Sequence, residues 1–163
     1  MSSNGNKKIT IIAANGSLDQ AYPPLILAST AVAMDMEASI FFTFYGLDII
    51  KKNKKLYVSP IGNAASPPPI KGVPIGVPNI LGVLPGMTAV ATMMMKSWMK
   101  GANVASKDKL LEQCLKFGVR MIGCQMTMDV MGVKKEELID GIEIGGAATF
   151  LDVAAEADIT LAF

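Results

Sequence analysis

The sequence predicts an α/β fold: a mainly parallel sheet of about five strands with helices on both faces. Short apolar runs recur along the chain, turn residues such as Asn-Gly and Gly-Gly punctuate them, and helical segments separate them. Strands that alternate with helices at this spacing are typical of parallel sheets. The chain has 163 residues, 51% of them hydrophobic, and we expect one domain over residues 1–163.

The predicted strands are short apolar runs bounded by turn residues. The first is rich in β-branched residues, the second combines aromatic and aliphatic residues, and the third ends in Gly-Cys. Near-continuous apolar runs of this kind are typical of strands that are buried on both faces of a sheet. In chain order, the predicted strands are residues 7–14, 37–44, 119–123, 141–144 and 158–163.

The predicted helices lie between these strands. Pro23 and Pro24 suit the first turn of a helix better than its interior, so we expect the first regular helix to begin there. Ser106 is suited to cap a later helix, and Gly118 to end it. The segment that follows Cys124 is predicted to be a Met-rich turn or helix. In chain order, the other predicted helices are residues 23–34, 48–52 (one turn), 87–100, 107–117, 134–139 and 147–157.

A Pro/Gly-rich apolar excursion occupies residues 57–86 and holds seven of the nine prolines. Its many valines and isoleucines make it too apolar for a flexible linker, and loops of this length are commonly functional. We expect an ordered lid or oligomer interface, with disorder as the alternative. Residues 72–95 carry no charge, but their prolines would break a membrane-spanning helix. We therefore expect packing on the protein itself, a partner subunit or a membrane surface.

Composition excludes several classes of protein. The 15 Lys and Arg nearly balance the 14 Asp and Glu, whereas a nucleic-acid binder would show a basic face. The chain has no histidine, which removes mechanisms and metal sites that need imidazole. We predict no metal site and no cofactor. Two cysteines do not make a disulfide scaffold, and residues 1–8 lack the apolar segment of a signal peptide, so we expect a cytoplasmic protein.

The candidate for chemistry is Cys124, at the end of the third predicted strand. This is the edge at which α/β folds bind ligands, and free N–H groups of a following helix stabilise a thiolate there. The alternative is a structural cysteine, since free Cys is among the most buried residue types. Cys114 is expected in the core, offset from Cys124 by roughly 14 Å along the strand. That is too far for a disulfide.

A lone thiolate can exchange with disulfides, reduce peroxide or carry a sulfane sulfur. The absence of Cys-x-x-Cys weakens the thioredoxin-like option. Asn15, Tyr45 and Thr127 are candidate hydrogen-bond neighbours of Cys124, and the glycines could let a ligand or a partner backbone approach. The candidate binding residues at this edge are Asn15, Gly16, Ser17, Tyr45, Gly46, Gln125, Met126 and Thr127.

Several segments also match a known family. They are residues 16–19 (GSLD), 41–47 (FFTFYGL), 124–132 (CQMTMDVMG), 137–141 (ELIDG) and 145–146 (GG). In these the chain resembles the DsrE/DsrF-like family, particularly its longer DsrE-like branch, which is often labelled peroxiredoxin-like. The resemblance implies a DsrE-like three-layer sandwich, a homo-oligomer, and a sulfur relay in which Cys124 receives and passes on a persulfide. It implies TusA-like carriers and rhodaneses as partners.

The sequence therefore predicts a sulfur carrier or sulfurtransferase with Cys124 as the persulfide-bearing nucleophile. Two alternatives stay open at this point. One is a non-catalytic scaffold or membrane-peripheral subunit that uses the excursion and the Met-rich helix at residues 87–100. The other is a thiol-based redox protein that reduces peroxide, although no nearby resolving cysteine is evident.

Overall fold

The structure is a computed structural model that describes residues 6–58 and 84–163. Most of the excursion predicted at residues 57–86 lies outside the described residues, so its proposed role as a lid or an interface stays a prediction. The chain divides into two compact units, Met1–Leu56 with Ser106–Phe163, and Tyr57–Ala105. The single domain expected from the sequence also stays a prediction.

The larger unit is built on a five-stranded sheet in which every paired strand is parallel. The strands are β1 (Lys8–Ala13), β2 (Glu37–Phe42), β3 (Arg120–Cys124), β4 (Glu143–Gly145) and β5 (Ile159–Ala162). Their order across the sheet is β4-β3-β2-β1-β5. This confirms the predicted α/β class, although β4 begins two residues later than the sequence indicated.

Helices connect the strands. Within the described residues they are, in chain order, α1 (Leu18–Ala33), α2 (Leu47–Ile50), α3 (Met87–Gly101), α4 (Lys107–Lys116), α5 (Gln125–Met131) and α6 (Ala147–Ala155). The helix predicted at residues 134–139 is wrong, because the chain forms only a 3₁₀ turn at Lys135–Glu137. The N–H of Ile139 donates to Ile50 O at 2.9 Å, and Leu138 forms an antiparallel bridge with Lys51. These contacts draw the segment into an extended conformation.

Helix α1 also differs from its prediction, because it begins at Leu18 and contains both prolines. Its first turn is closed by Ala21 N–H donating to Ser17 O at 3.0 Å. Pro23 and Pro24 lie in the second turn, where each removes one N–H donor and its ring crowds the carbonyl four residues earlier. Packing offsets this loss, since α1 buries Leu18, Ala21, Tyr22, Pro24, Leu25, Ala28 and Ala31.

The strand order places helices on both faces. Chain steps from β1 to β4 run in one direction across the sheet, and the step from β4 to β5 runs back. Because such crossovers are right-handed, α6 lies on the face opposite α1 and α4. The contacts agree: α1 packs on β1, β2 and α4. From α6, Phe150 and Val153 pack on Phe41 and Ile122 of the other face.

The larger core lies on the α1 and α4 face. Helix α2 caps it near the carboxyl edge, where Leu47 approaches Gly123 of β3. The face beneath α6 is covered more sparsely, because no residue of α6 is buried. In the part of the chain that the structure describes, the largest fully buried side chains are Phe42, Ile11, Leu25, Ile40, Leu47, Ile49, Ile50, Met121, Ile122, Leu138, Thr10 and Thr127.

The smaller unit contains α3, which follows Gly86 with its positive φ of 91°. Within α3, Thr92 is buried, accepts from Val58 N–H at 3.0 Å and donates to Thr88 O at 2.7 Å. Of the methionines in this helix, Met93 is 69% exposed, whereas Met94, Met95 and Met99 are half-buried. No helix in the described part of the chain is both long and apolar enough to cross a bilayer.

Candidate functional site

The carboxyl ends of β2, β3 and β4 lie side by side. Phe42 pairs with Gly123, and Cys124 pairs with Gly145. The residue that follows β2, Thr43, is therefore the neighbour of Cys124 across the sheet. Parallel strands bring their carboxyl ends to one edge, which is why residues far apart in sequence meet here.

Two glycines join the loops that follow β1 and β2. A Cβ atom at Gly46 would lie 1.9 Å from Ala13 O, and one at Gly16 would lie 2.2 Å from Tyr45 O. The N–H of Gly46 also donates to Ala14 O at 3.1 Å. The space beside these glycines is therefore filled by the chain's own backbone. The sequence had suggested that a ligand or a partner backbone would enter it.

Cys124 ends β3 and is the N-cap residue of α5. Its side chain is 4% exposed and packs in a cluster with Phe41 and Ile122 beneath Phe150 and Val153. One side of the sulfur therefore meets apolar groups. The other side meets the first turn of α5, where N–H groups have no partner within the helix.

Two threonine hydroxyls complete the polar side. Thr127, in the first turn of α5, is 1% exposed, and its Oγ1 lies 3.0 Å from Oγ1 of Thr43. The N–H of Phe44 donates to Oγ1 of Thr127 at 3.2 Å. Thr43 was not among the residues predicted from the sequence, and only the pairing of β2 with β3 identifies it.

This environment lowers the pKa of the Cys124 thiol. Burial acts to raise it, but the donor groups beside the sulfur, which favour the charged thiolate, outweigh burial; they are the Thr127 hydroxyl and N–H, the Thr43 hydroxyl and the Met126 N–H. The N–H groups within reach of an N-cap side chain are the second and third of its helix, here those of Met126 and Thr127, and the Cys124 side chain forms no capping hydrogen bond with them in this structure. The thiolate is therefore favoured.

The other predicted residues lie nearby but contribute differently. Asn15 and Tyr45 are exposed, and no hydrogen bond joins either to Cys124 within residues 6–58 and 84–163. Ser17 is the N-cap of α1 without a side-chain capping bond. Gln125 is exposed, and its Nε2 donates to Asp129 at 2.8 Å. Across the described ranges, no three His, Cys, Asp or Glu side chains are grouped as a metal site requires.

Comparisons with known proteins agree with this architecture. The model of the DsrE/DsrF/DrsH-like family matches residues 5–162. The chain is 50% identical over 155 residues to the sulfur carrier protein DsrE2 of Allochromatium vinosum, covering 95% of this chain and 97% of that protein. It is 31% identical over 160 residues to the uncharacterised protein YrkE of Bacillus subtilis, covering 95% and 96%.

Among solved structures, the chain is similar to the ychN protein from E. coli. The TM-score is 0.56 at 17% identity, with 96% of this chain and 99% of that chain covered. At that identity the likeness shows the fold alone. Together with the family model and the relative at 50% identity, the comparisons confirm the resemblance found in the sequence. The chain belongs to the DsrE/DsrF/DrsH-like family.

Proposed function

We propose that this protein is a sulfur carrier that holds a persulfide on Cys124 and passes it to an acceptor thiol. The observation that carries the proposal is the environment of Cys124. Its thiol lies at a strand–helix junction where hydrogen-bond donors lower its pKa. The relative that is 50% identical is named a sulfur carrier protein, which supports the same function here.

The chemistry needs only one thiolate. In loading, the Cys124 thiolate attacks the outer sulfur of a donor persulfide, R–S–SH. A bond forms between Sγ and that sulfur, the donor's S–S bond breaks, and the donor leaves as the thiolate R–S⁻. The proton stays on the transferred sulfur. In unloading, an acceptor thiolate attacks the same sulfur, and Cys124 leaves as a thiolate. No external oxidant or reductant is needed.

The partners in this proposal are proteins that bear thiols or persulfides, of the TusA-like carrier and rhodanese classes. The exposed side chains around the site suit contact with another protein, since Phe44 is 54%, Tyr45 66% and Met126 57% exposed. Aromatic residues and Met are enriched in protein interfaces. A partner thiol would approach Cys124 past these three side chains. The two free cysteines support a reducing compartment, and we propose the cytoplasm.

A homo-oligomer is the second part of the proposal. Helix α6 has no buried residue although it is strongly apolar, and Leu151 is 62% exposed. Beside it, β5 is an edge strand with Ile159 40% exposed. Exposed apolar surface next to an open sheet edge is a common site of association. Sedimentation of the full chain would test this part, and a monomer at all concentrations would contradict it.

The direct test of loading is intact-mass analysis after incubation with a low-molecular-weight persulfide. We expect the wild type and Cys114→Ser to gain the mass of one sulfur atom and Cys124→Ser to gain none. Equal gain by Cys124→Ser, or no gain by the wild type, would contradict the proposal. Addition of oxygen to Cys124 without sulfur would instead support the redox alternative.

A further inference from the structure

Thr127 is an unusual residue for the buried first turn of a helix. A β-branched polar side chain has a low helix propensity, and a buried hydroxyl must find hydrogen-bond partners. The side chain is 1% exposed, and its partners are Thr43 Oγ1 and the N–H of Phe44. Both partners come from the end of β2, so Thr127 connects that strand to the helix that Cys124 begins.

The donors and acceptors in this group can be counted. The N–H of Phe44 can only donate, so it occupies an acceptor position on Thr127 Oγ1. The 3.0 Å contact between the threonine hydroxyls uses one hydroxyl proton, and either residue can supply it. Two hydroxyls carry two protons. One proton therefore remains for a further acceptor, and the sulfur of Cys124 is placed to receive it, because Cys124 lies opposite Thr43 in the strand register and three residues before Thr127.

The backbone conformation also fixes the position of the Phe44 N–H. Phe44 has a φ of +46°, a left-handed conformation that a bulky aromatic residue rarely adopts. The turn that contains it is fixed from outside, because Gly46 N–H donates to Ala14 O and to Thr43 O. Residues held in disfavoured conformations are concentrated at functional sites. In this case the conformation directs the Phe44 N–H at Thr127.

We propose that Thr43 and Thr127 are positioning residues for the carrier sulfur, and that between them they donate one hydroxyl hydrogen bond to Cys124. The proposal rests on the proposed sulfur-carrier function and assigns these hydroxyls a task within it. They act on the sulfur that the reaction regenerates.

The position of the negative charge in the loaded and unloaded protein shows which step the two threonines favour. In the loaded protein the outer sulfur carries the proton or, once that proton is released to water, the charge, and Sγ is a neutral, weak acceptor. In the unloaded protein the charge is on Sγ, where the hydroxyl meets it and makes a stronger, charge-assisted hydrogen bond. The pair therefore stabilises the product of unloading more than the loaded state. A thiol of lower pKa also leaves faster, so the pair assists delivery of sulfur to the acceptor.

The test compares Thr127→Val, Thr43→Val and Thr127→Ser, all in a Cys114→Ser background. Ionisation of Cys124 is followed by ultraviolet absorbance of the thiolate against pH, as the difference from a matched Cys124→Ser protein. We expect the midpoint to rise most in Thr127→Val and less in Thr43→Val, and Thr127→Ser to restore it. Delivery from loaded Thr127→Val to an acceptor thiol should slow about tenfold, as expected for loss of a hydrogen bond to a charged group.

A control separates positioning from folding. Thr10 is also buried, and Ser39 donates to its hydroxyl at 2.8 Å. Thr10→Val should lower stability without moving the midpoint. If Thr127→Val does not fold, Thr43→Val, at a less buried position, decides the question. If a folded valine variant still loads sulfur but shows neither a shifted midpoint nor slower delivery, this inference is overturned and the proposed function stands. A wild type that gains no sulfur would overturn the proposed function and this inference with it.

Discussion

The two cysteines of this chain are both buried, yet the pKa of Cys114 is raised and the pKa of Cys124 is lowered. Cys114 is fully buried in α4, its thiol donates to Leu25 O at 3.5 Å, and burial raises its pKa to about 11. Cys124 is 4% exposed, and donors around it lower its pKa in spite of burial. The comparison teaches that the hydrogen-bonding environment, and not exposure alone, separates a structural thiol from a reactive one.

The largest expected difference between the two is in alkylation. With a pKa of about 11, Cys114 has roughly one thiolate in ten thousand molecules at pH 7. We expect limited iodoacetamide at neutral pH to label Cys124 and to leave Cys114 unlabelled, as peptide mass spectrometry would show. Labelling of Cys114 at a similar rate in the folded protein would break the comparison.

The second prediction disturbs the loop that brings Thr43 to Cys124. Gly46→Ala places a Cβ 1.9 Å from Ala13 O, so the two loops must separate. We expect a loss of about 3 kcal/mol in the free energy of unfolding, measured by urea denaturation, and a higher pKa for Cys124.

The matched control for this change is Gly101→Ala. A Cβ there meets nothing within 4 Å, and alanine is the better helix former. We expect no loss of stability and an unchanged Cys124 pKa. If the two alanine variants had equal stability, the tight approach of the loops after β1 and β2 would not be a constraint on the fold.

The third prediction concerns stability at alkaline pH, where the two thiols act with opposite signs. The pKa of Cys114 is raised in the fold, so its contribution is complete below the unfolded value and is lost as pH rises toward about 11. We expect a loss of about 2 kcal/mol across that window. The pKa of Cys124 is lowered, so its contribution is present above the unfolded value and is lost as pH falls through the folded one.

Single substitutions separate the two contributions. Relative to the wild type, Cys114→Ala should lose less stability on alkaline titration, and Cys124→Ser should lose more. Denaturation series between pH 7 and the alkaline limit of folding would measure both differences. The same sign for both variants would contradict the assignment.

The smallest expected effect is that of Cys114→Ala at neutral pH. Removing one buried sulfur should cost about 1 kcal/mol, because Cys114 is 0% exposed. Sulfur loading should be unchanged. A loss of loading would show that Cys114 takes part in the chemistry after all.

Much of this architecture could be predicted from local sequence patterns. Apolar runs indicated five strands, and Gly-Cys before the Met-rich segment indicated a strand–helix junction at Cys124, where the structure has one. The start of α1 could not be predicted, because tertiary burial of Pro24 and its neighbours overrides the local preference of proline. The turn at Lys135–Glu137 differs from its prediction for a similar reason, a long-range pairing with Lys51 and Ile50.

The site was harder to predict than the fold. Cys124 and Thr127 are three residues apart, so helix geometry alone relates them. Thr43 is 84 residues from Thr127, and it becomes a neighbour only through the register that pairs Phe42 with Gly123. Register depends on the whole sheet and is not encoded in either strand alone. For the same reason, Gly16 and Gly46 suggested space for a ligand, whereas the structure fills that space with backbone.

The central claim is that Cys124 both accepts and releases sulfur, and one chase measurement tests both halves. The wild type is loaded with a low-molecular-weight persulfide, freed of donor, and mixed with a reduced TusA-like carrier while intact masses of both proteins are followed. We predict that this protein returns to its unloaded mass as the carrier gains one sulfur, and that Cys124→Ser neither gains nor delivers sulfur. Sulfur that stays on the protein, or reaches the carrier equally from Cys124→Ser, would contradict the account.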